Sequence, residues 1–135
     1  MIGLVLVSHS RELARAALEL AVGLVPGLDV RVELAAGLSG GDLGTDATEI
    51  AAAVGRADDG DGILVLADLG SGIMSAETAL ELLDPGVAAR VRLSPAPLVE
   101  GLVGAYAAAG IGKTLDVVAA EAETAIEAKR VQLTT

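Results

Sequence analysis

The chain has 135 residues, 53% of them hydrophobic, which is enough for one compact core and makes a single domain over residues 1–135 the expectation. Its formal net charge is −10, and its nine Lys and Arg residues are scattered, which argues against a nucleic-acid partner. With no cysteine and one histidine, His9, disulfides, thiolate chemistry and multi-histidine metal sites are excluded, so no metal is expected.

Ile2 to Val7 is a continuous apolar run, the pattern of a strand buried on both faces of a parallel sheet. It has no basic lead and only a strand's length, so neither a signal peptide nor a membrane span is expected, and a cytoplasmic location follows by default. Ser8-His9-Ser10 ends the run. From Arg11 the apolar positions Leu13, Ala14, Ala17, Leu18, Ala21 and Val22 have helical spacing, and Pro26-Gly27 closes the helix. Leu28, Val30, Val32 and Leu34 then alternate with polar residues and predict a strand at a sheet edge.

After the Gly-rich AAGLSGGDLG, the residues Thr45, Asp46 and Glu49 form a capping-box pattern that predicts a helix to about Val54. Ile63 to Ala67 reads as a second fully apolar strand, and Asp68-Leu69-Gly70-Ser71-Gly72 as the loop that leaves it. Ser75 is the expected cap of a helix to about Leu83, ended by Asp84-Pro85-Gly86. Ala89 to Leu93 is a fourth predicted strand with SPAP as its exit. Leu98 to Ala109 reads as a helix in which Gly101 and Gly104 permit close packing, and a last helix is expected from about Thr114 to Lys129.

The order βαβαβαβα predicts a single α/β domain, doubly wound, with a mainly parallel sheet of about four strands in the order 2-1-3-4, flanked by helices. In that order the first and third strands are neighbours, and their carboxyl ends form the crevice where such folds bind ligands. His9 lies just past the first strand and Asp68 just past the third, so the two are expected to meet. A carboxylate holding the Nδ1 proton would leave Nε2 as a nucleophile near neutral pH. Ser10 at a helix start, Gly70-Ser71-Gly72, Gly40-Gly41 and Thr45 supply the makings of an anion site. Neither GxxxxGK[ST] nor GxGxxG occurs, so the expected ligand is a phosphoryl group delivered by a protein. Residue chemistry alone leaves plainer readings open: His9 as a surface histidine, Asp68 as a strand-end cap, Gly70 and Gly72 as turn glycines, and Thr45, Asp46 and Ser75 as helix caps.

The segments VLVSHS, GTDA, DLGSGIMSAETALELL and VRLSPAPLVEG, spread over nearly the whole chain, together resemble the phosphotransferase-system IIA proteins of the mannose type. The second and third segments are similar to the branch that serves the phosphoenolpyruvate-dependent dihydroxyacetone kinase. The resemblance implies that His9 takes a phosphoryl group on Nε2 from the phosphohistidine of the carrier HPr, with Asp68 orienting its ring. Ser10, Gly41, Thr45, Gly70 and Ser71 become phosphate-binding or loop candidates. The implied acceptor is ADP, held with magnesium on the partner subunit DhaL; the ATP formed phosphorylates dihydroxyacetone on DhaK. This chain would bind no cofactor of its own, and a homodimer is implied. Fused HPr-like and enzyme I-like domains occur in some members, and those activities are expected here in trans.

Other readings remain. A IIA subunit of a mannose-type sugar transporter would use the same histidine with another acceptor, and a non-catalytic ligand-sensing or scaffold domain would use His9 only to line a pocket. A receiver-like switch needs an acidic pair where Ser8-His9 stands, and a histidine phosphatase needs a second histidine.

Overall fold

The computed structural model describes residues 1–134. Strands β1 (Gly3–Ser8), β2 (Val32–Ala36), β3 (Ile63–Ala67) and β4 (Val91–Leu93) form one sheet in the order β2-β1-β3-β4. Every pairing is parallel, with Leu6 opposite Leu34 on one side and Leu66 on the other. Because side chains alternate along a strand, each central strand feeds two cores. Leu4, Leu6, Leu64 and Leu66 pack against helices α1 (Arg11–Leu24), α5 (Leu98–Gly110) and α6 (Leu115–Glu123). Val5, Val7, Ile63 and Val65 pack against α2 (Ala47–Ala57) and α3 (Gly70–Glu81). This explains why β1 up to Val7 and the whole of β3 are apolar: neither face meets water. Truncating Leu6 or Leu66, both fully buried, would cost about 2–5 kcal/mol.

Alanine and glycine let the helices lie close in a chain with a single aromatic residue, Tyr106, which is buried among α5's core contacts. A Cβ on Gly104 would sit 3.0 Å from the Glu121 carbonyl oxygen, so the expected close approach is real and joins α5 to α6.

Four sequence expectations shift. The alternation from Leu28 to Leu34 predicts strand from Leu28, but pairing begins at Val32, or Arg31 by its carbonyl bond to Leu4; Leu28 instead packs against α5 at Gly110. The fourth strand is shortened because Ala89 and Arg90 close a one-turn helix, α4 (Pro85–Ala88). The last helix is interrupted by a 3-10 turn, Thr124–Ile126, where the Thr124 hydroxyl bonds back to the Glu121 carbonyl, and resumes as α7 (Ala128–Leu133). Helix α3 starts at Gly70 instead of Ser75, so the expected exit loop is the first turn of a helix. No helix among the described residues is long and apolar enough to cross a membrane.

Candidate functional site

The sheet order brings the ends of β1 and β3 together, and His9 and Asp68 meet there as the topology predicts. His9 Nδ1 lies 3.1 Å from Asp68 Oδ1, while the His9 backbone N–H donates to Asp68 Oδ2 at 3.0 Å. An ionised carboxylate only accepts, so the ring proton belongs on Nδ1 and Nε2 carries the free lone pair. The Ser71 hydroxyl, 2.8 Å away, donates to that lone pair. His9 is a quarter exposed at its side chain and Asp68 about a tenth, so the ring faces solvent over a sheltered carboxylate.

Burial pushes the Asp68 carboxyl up, but bonds from the His9 backbone, the His9 ring and the Ser8 hydroxyl outweigh it and hold the group below its ordinary value. Asp68 is therefore ionised at neutral pH.

The flanking helices supply the rest. Ser10 is the N-cap of α1, its hydroxyl accepting the Leu13 N–H at 3.2 Å. Leu69 is the N-cap of α3 and has no side-chain acceptor, and the Gly70 and Ser71 N–H groups are left without an intrahelical partner in the helix whose Ser71 hydroxyl meets Nε2. Gly72 makes this approach feasible: a Cβ there would come within 3.4 Å of Asp68 Oδ1 and Val7. The glycines 70 and 72 thus serve in a helix, not as turn residues with positive φ.

The remaining candidates take secondary places. Thr45 does not cap α2, a role taken by Asp46 through the Thr48 N–H; its hydroxyl is 2.6 Å from that of Ser75, tying the Gly-rich loop to the middle of α3. Ser75 is accordingly no cap. Gly41 has φ +92° and its N–H donates to the Leu38 carbonyl, so it shapes the loop; it is Gly44 whose N–H reaches His9, donating to its carbonyl at 2.9 Å.

Sequence reasoning missed Ser8. It ends β1, is fully buried, donates its hydroxyl to Asp68 Oδ2 at 3.0 Å and accepts the Ser10 N–H at 3.1 Å. The one signal was a polar residue inside an apolar strand. A shallow groove runs from Asp68 past Leu69 and Gly70 to Pro95 and Pro97, whereas the hollows around Met1 lie at the opposite ends of the strands and include no site residue. No group of three or more His, Cys, Asp or Glu side chains able to hold a metal occurs among the described residues.

Chemically, the arrangement is a tautomer-fixed imidazole beside an uncapped helix start, suited to receiving an anionic group on Nε2.

Comparison with known proteins gives a consistent set. Residues 3–119 match the family described as PTS system fructose IIA component, EIIA-man. The chain is 45% identical over 135 residues to the phosphoryl donor subunit DhaM of the PEP-dependent dihydroxyacetone kinase of Klebsiella michiganensis, and 44% identical to that of Escherichia coli. Those matches cover 98% of this chain but only 29% of each relative. The phosphoryl donor subunit DhaM of a second such kinase, from Listeria innocua, is 42% identical over 101 residues, covering 75% of this chain and 80% of the relative. Among solved structures, a protein of unknown function, EF1359, matches with TM-score 0.83 and 31% identity over 92% of this chain and 94% of the other. The phosphotransferase system component EIIA of Streptococcus agalactiae matches with TM-score 0.66 over 93% and 92%; at 18% identity this is a likeness of fold.

Proposed function

Because the chain belongs to the EIIA-man family of phosphotransferase-system IIA components, and within it to the DhaM branch, we propose that it is the phosphoryl donor subunit of a phosphoenolpyruvate-dependent dihydroxyacetone kinase, with His9 as the group that is phosphorylated. The observation that carries the reading is the pair of contacts on one ring: Nδ1 to Asp68 and Nε2 out toward Ser71 and the start of α3.

The Nε2 lone pair attacks the phosphorus of phosphohistidine on HPr; the new N–P bond forms as the carrier's N–P bond breaks, and the carrier imidazole leaves. The His9 ring keeps its Nδ1 proton, and the positive charge that develops on it is balanced by Asp68. The Ser71 hydroxyl turns its hydrogen from Nε2 to a phosphoryl oxygen, and the Gly70 and Ser71 N–H groups add the favourable end of the α3 dipole. The group then passes to ADP on DhaL, whose magnesium and nucleotide belong to that partner, and on to dihydroxyacetone held by DhaK. The setting is cytoplasmic and the working form a homodimer. The names of the relatives and their identity to this chain support this acceptor over a sugar transporter.

Incubation with phosphoenolpyruvate, enzyme I and HPr should add one acid-labile phosphoryl group, and His9→Gln should abolish it. Undiminished incorporation in His9→Gln would overturn the assignment. With DhaK and DhaL added, phosphoenolpyruvate-dependent formation of dihydroxyacetone phosphate tests the acceptor.

A further inference from the structure

We propose that Ser8 is a positioning residue for the chemistry at His9, its buried hydroxyl coupling the start of α1 to the Asp68 carboxylate and thereby fixing the tautomer and orientation of the ring. This rests on the reading of His9 as the phosphorylated group, although part of its test does not.

Ser8 is the only polar residue of β1 and is inaccessible to solvent. A hydroxyl in such a place is costly unless both its donor and acceptor capacity are used. Here both are: the Ser10 N–H donates to it and it donates to Asp68 Oδ2. The direction of the chain of bonds is fixed, since a backbone N–H can only donate and a carboxylate only accept. Donation from Ser10 polarises the Ser8 hydroxyl and strengthens its bond to the carboxylate.

The consequence lies in how Asp68 divides its oxygens. Oδ2 takes the Ser8 hydroxyl and the His9 backbone N–H, both from the end of β1, and the closer approach of Nδ1 is to Oδ1. With Oδ2 pinned by two donors, the carboxylate cannot swing about its own axis, and Oδ1 stays where it meets the ring. With Ser8 removed, Oδ2 keeps the His9 N–H and only the longer, 3.3 Å approach of Nδ1, the Ser10 N–H loses its acceptor, and the ring's partner is held less firmly. Ser8 touches neither the phosphoryl group nor Nε2, so it acts through Asp68. A merely structural serine would affect stability and leave the ring unchanged.

His9 is the only histidine, so protein carrying ¹⁵N-histidine gives one pair of ring signals and reads the tautomer directly. In wild type, Nδ1 is expected protonated and Nε2 bare. In Ser8→Ala, the Nδ1-protonated share should fall and its proton should exchange with water about tenfold faster, and transfer from phospho-HPr should slow about tenfold, the effect of one hydrogen bond to a charged acceptor. Ser8→Cys, close in size but a weak donor, should change both in the same direction and by less. Unchanged ring signals and proton exchange in a folded Ser8→Ala, or in Ser8→Cys if the alanine variant does not fold, would overturn the proposal. Failure of wild type to accept phosphate from phospho-HPr would instead remove the proposed function, and the ring signals would still decide the role of Ser8.

Discussion

Helices α1 and α3 both begin beside His9, but they begin in opposite ways. At α1 the Ser10 hydroxyl takes the Leu13 N–H and Ser8 takes that of Ser10, so side chains cap this helix. At α3 the capping position is held by Leu69, which accepts nothing through its side chain, and the Gly72 N–H turns back to the Leu69 carbonyl instead. Both helices carry a serine near their first turn, yet Ser10 bonds within its own helix and Ser71 bonds to the histidine. Proximity to a helix dipole is therefore not what marks the anion-binding end: both helices leave their first two N–H groups without a protein partner among the described residues, and only α3 turns its serine hydroxyl to the ring.

Three changes would break or sharpen this contrast. The largest effect is expected from Asp68→Ala, which removes the acceptor of the Ser8 hydroxyl and of the His9 backbone and ring: transfer to His9 should slow about a hundredfold with the fold retained, measured as phosphoryl incorporation against a thermal melt. Acid unfolding checks the same group. Its value in the folded protein is held below that of a free aspartate, so the stability it adds is complete above the free-aspartate range and is lost as pH falls through the depressed folded value. Wild type should therefore lose more stability than Asp68→Ala on acidification below about pH 4.

Ser71→Ala should slow transfer about tenfold and leave the melting temperature nearly unchanged, since the hydroxyl serves Nε2 and not its own helix. Ser10→Ala should do the reverse, lowering stability by about 1 kcal/mol, or about 3 °C in melting temperature, with transfer within about twofold of wild type. Equal losses of rate in the two serine variants would erase the distinction between the helix ends.

The contrast also marks what the sequence could and could not reveal. The strand order and the meeting of His9 with Asp68 were legible because two uninterrupted apolar runs can be buried on both faces only at the centre of a parallel sheet. Ser10 was legible as a cap because its chemistry is local. The start of α3 was not, because Gly70-Ser71-Gly72 has poor helix propensity and resembles a turn; Gly72 is there for the close approach of Asp68 and Val7, a tertiary demand. Thr45 and Ser75 each looked like a cap, and only the folded chain brings their hydroxyls together. Leu28 and Val30 continued the alternation of a strand because they pack against the same core that the strands feed, Leu28 at Gly110 of α5.

Tyr106 and His9 have a joint consequence. The chain has no tryptophan or phenylalanine, so once its N–H protons are exchanged for deuterium the aromatic C–H signals of its proton NMR spectrum come from these two rings alone. One ring is buried in the core, 4% exposed, and the other stands at the crevice. A variant that shifts only the imidazole signals has altered the chemistry; one that broadens the tyrosine has loosened the packing. The molecule carries separate reporters for its fold and its reaction centre, legible in one unlabelled sample.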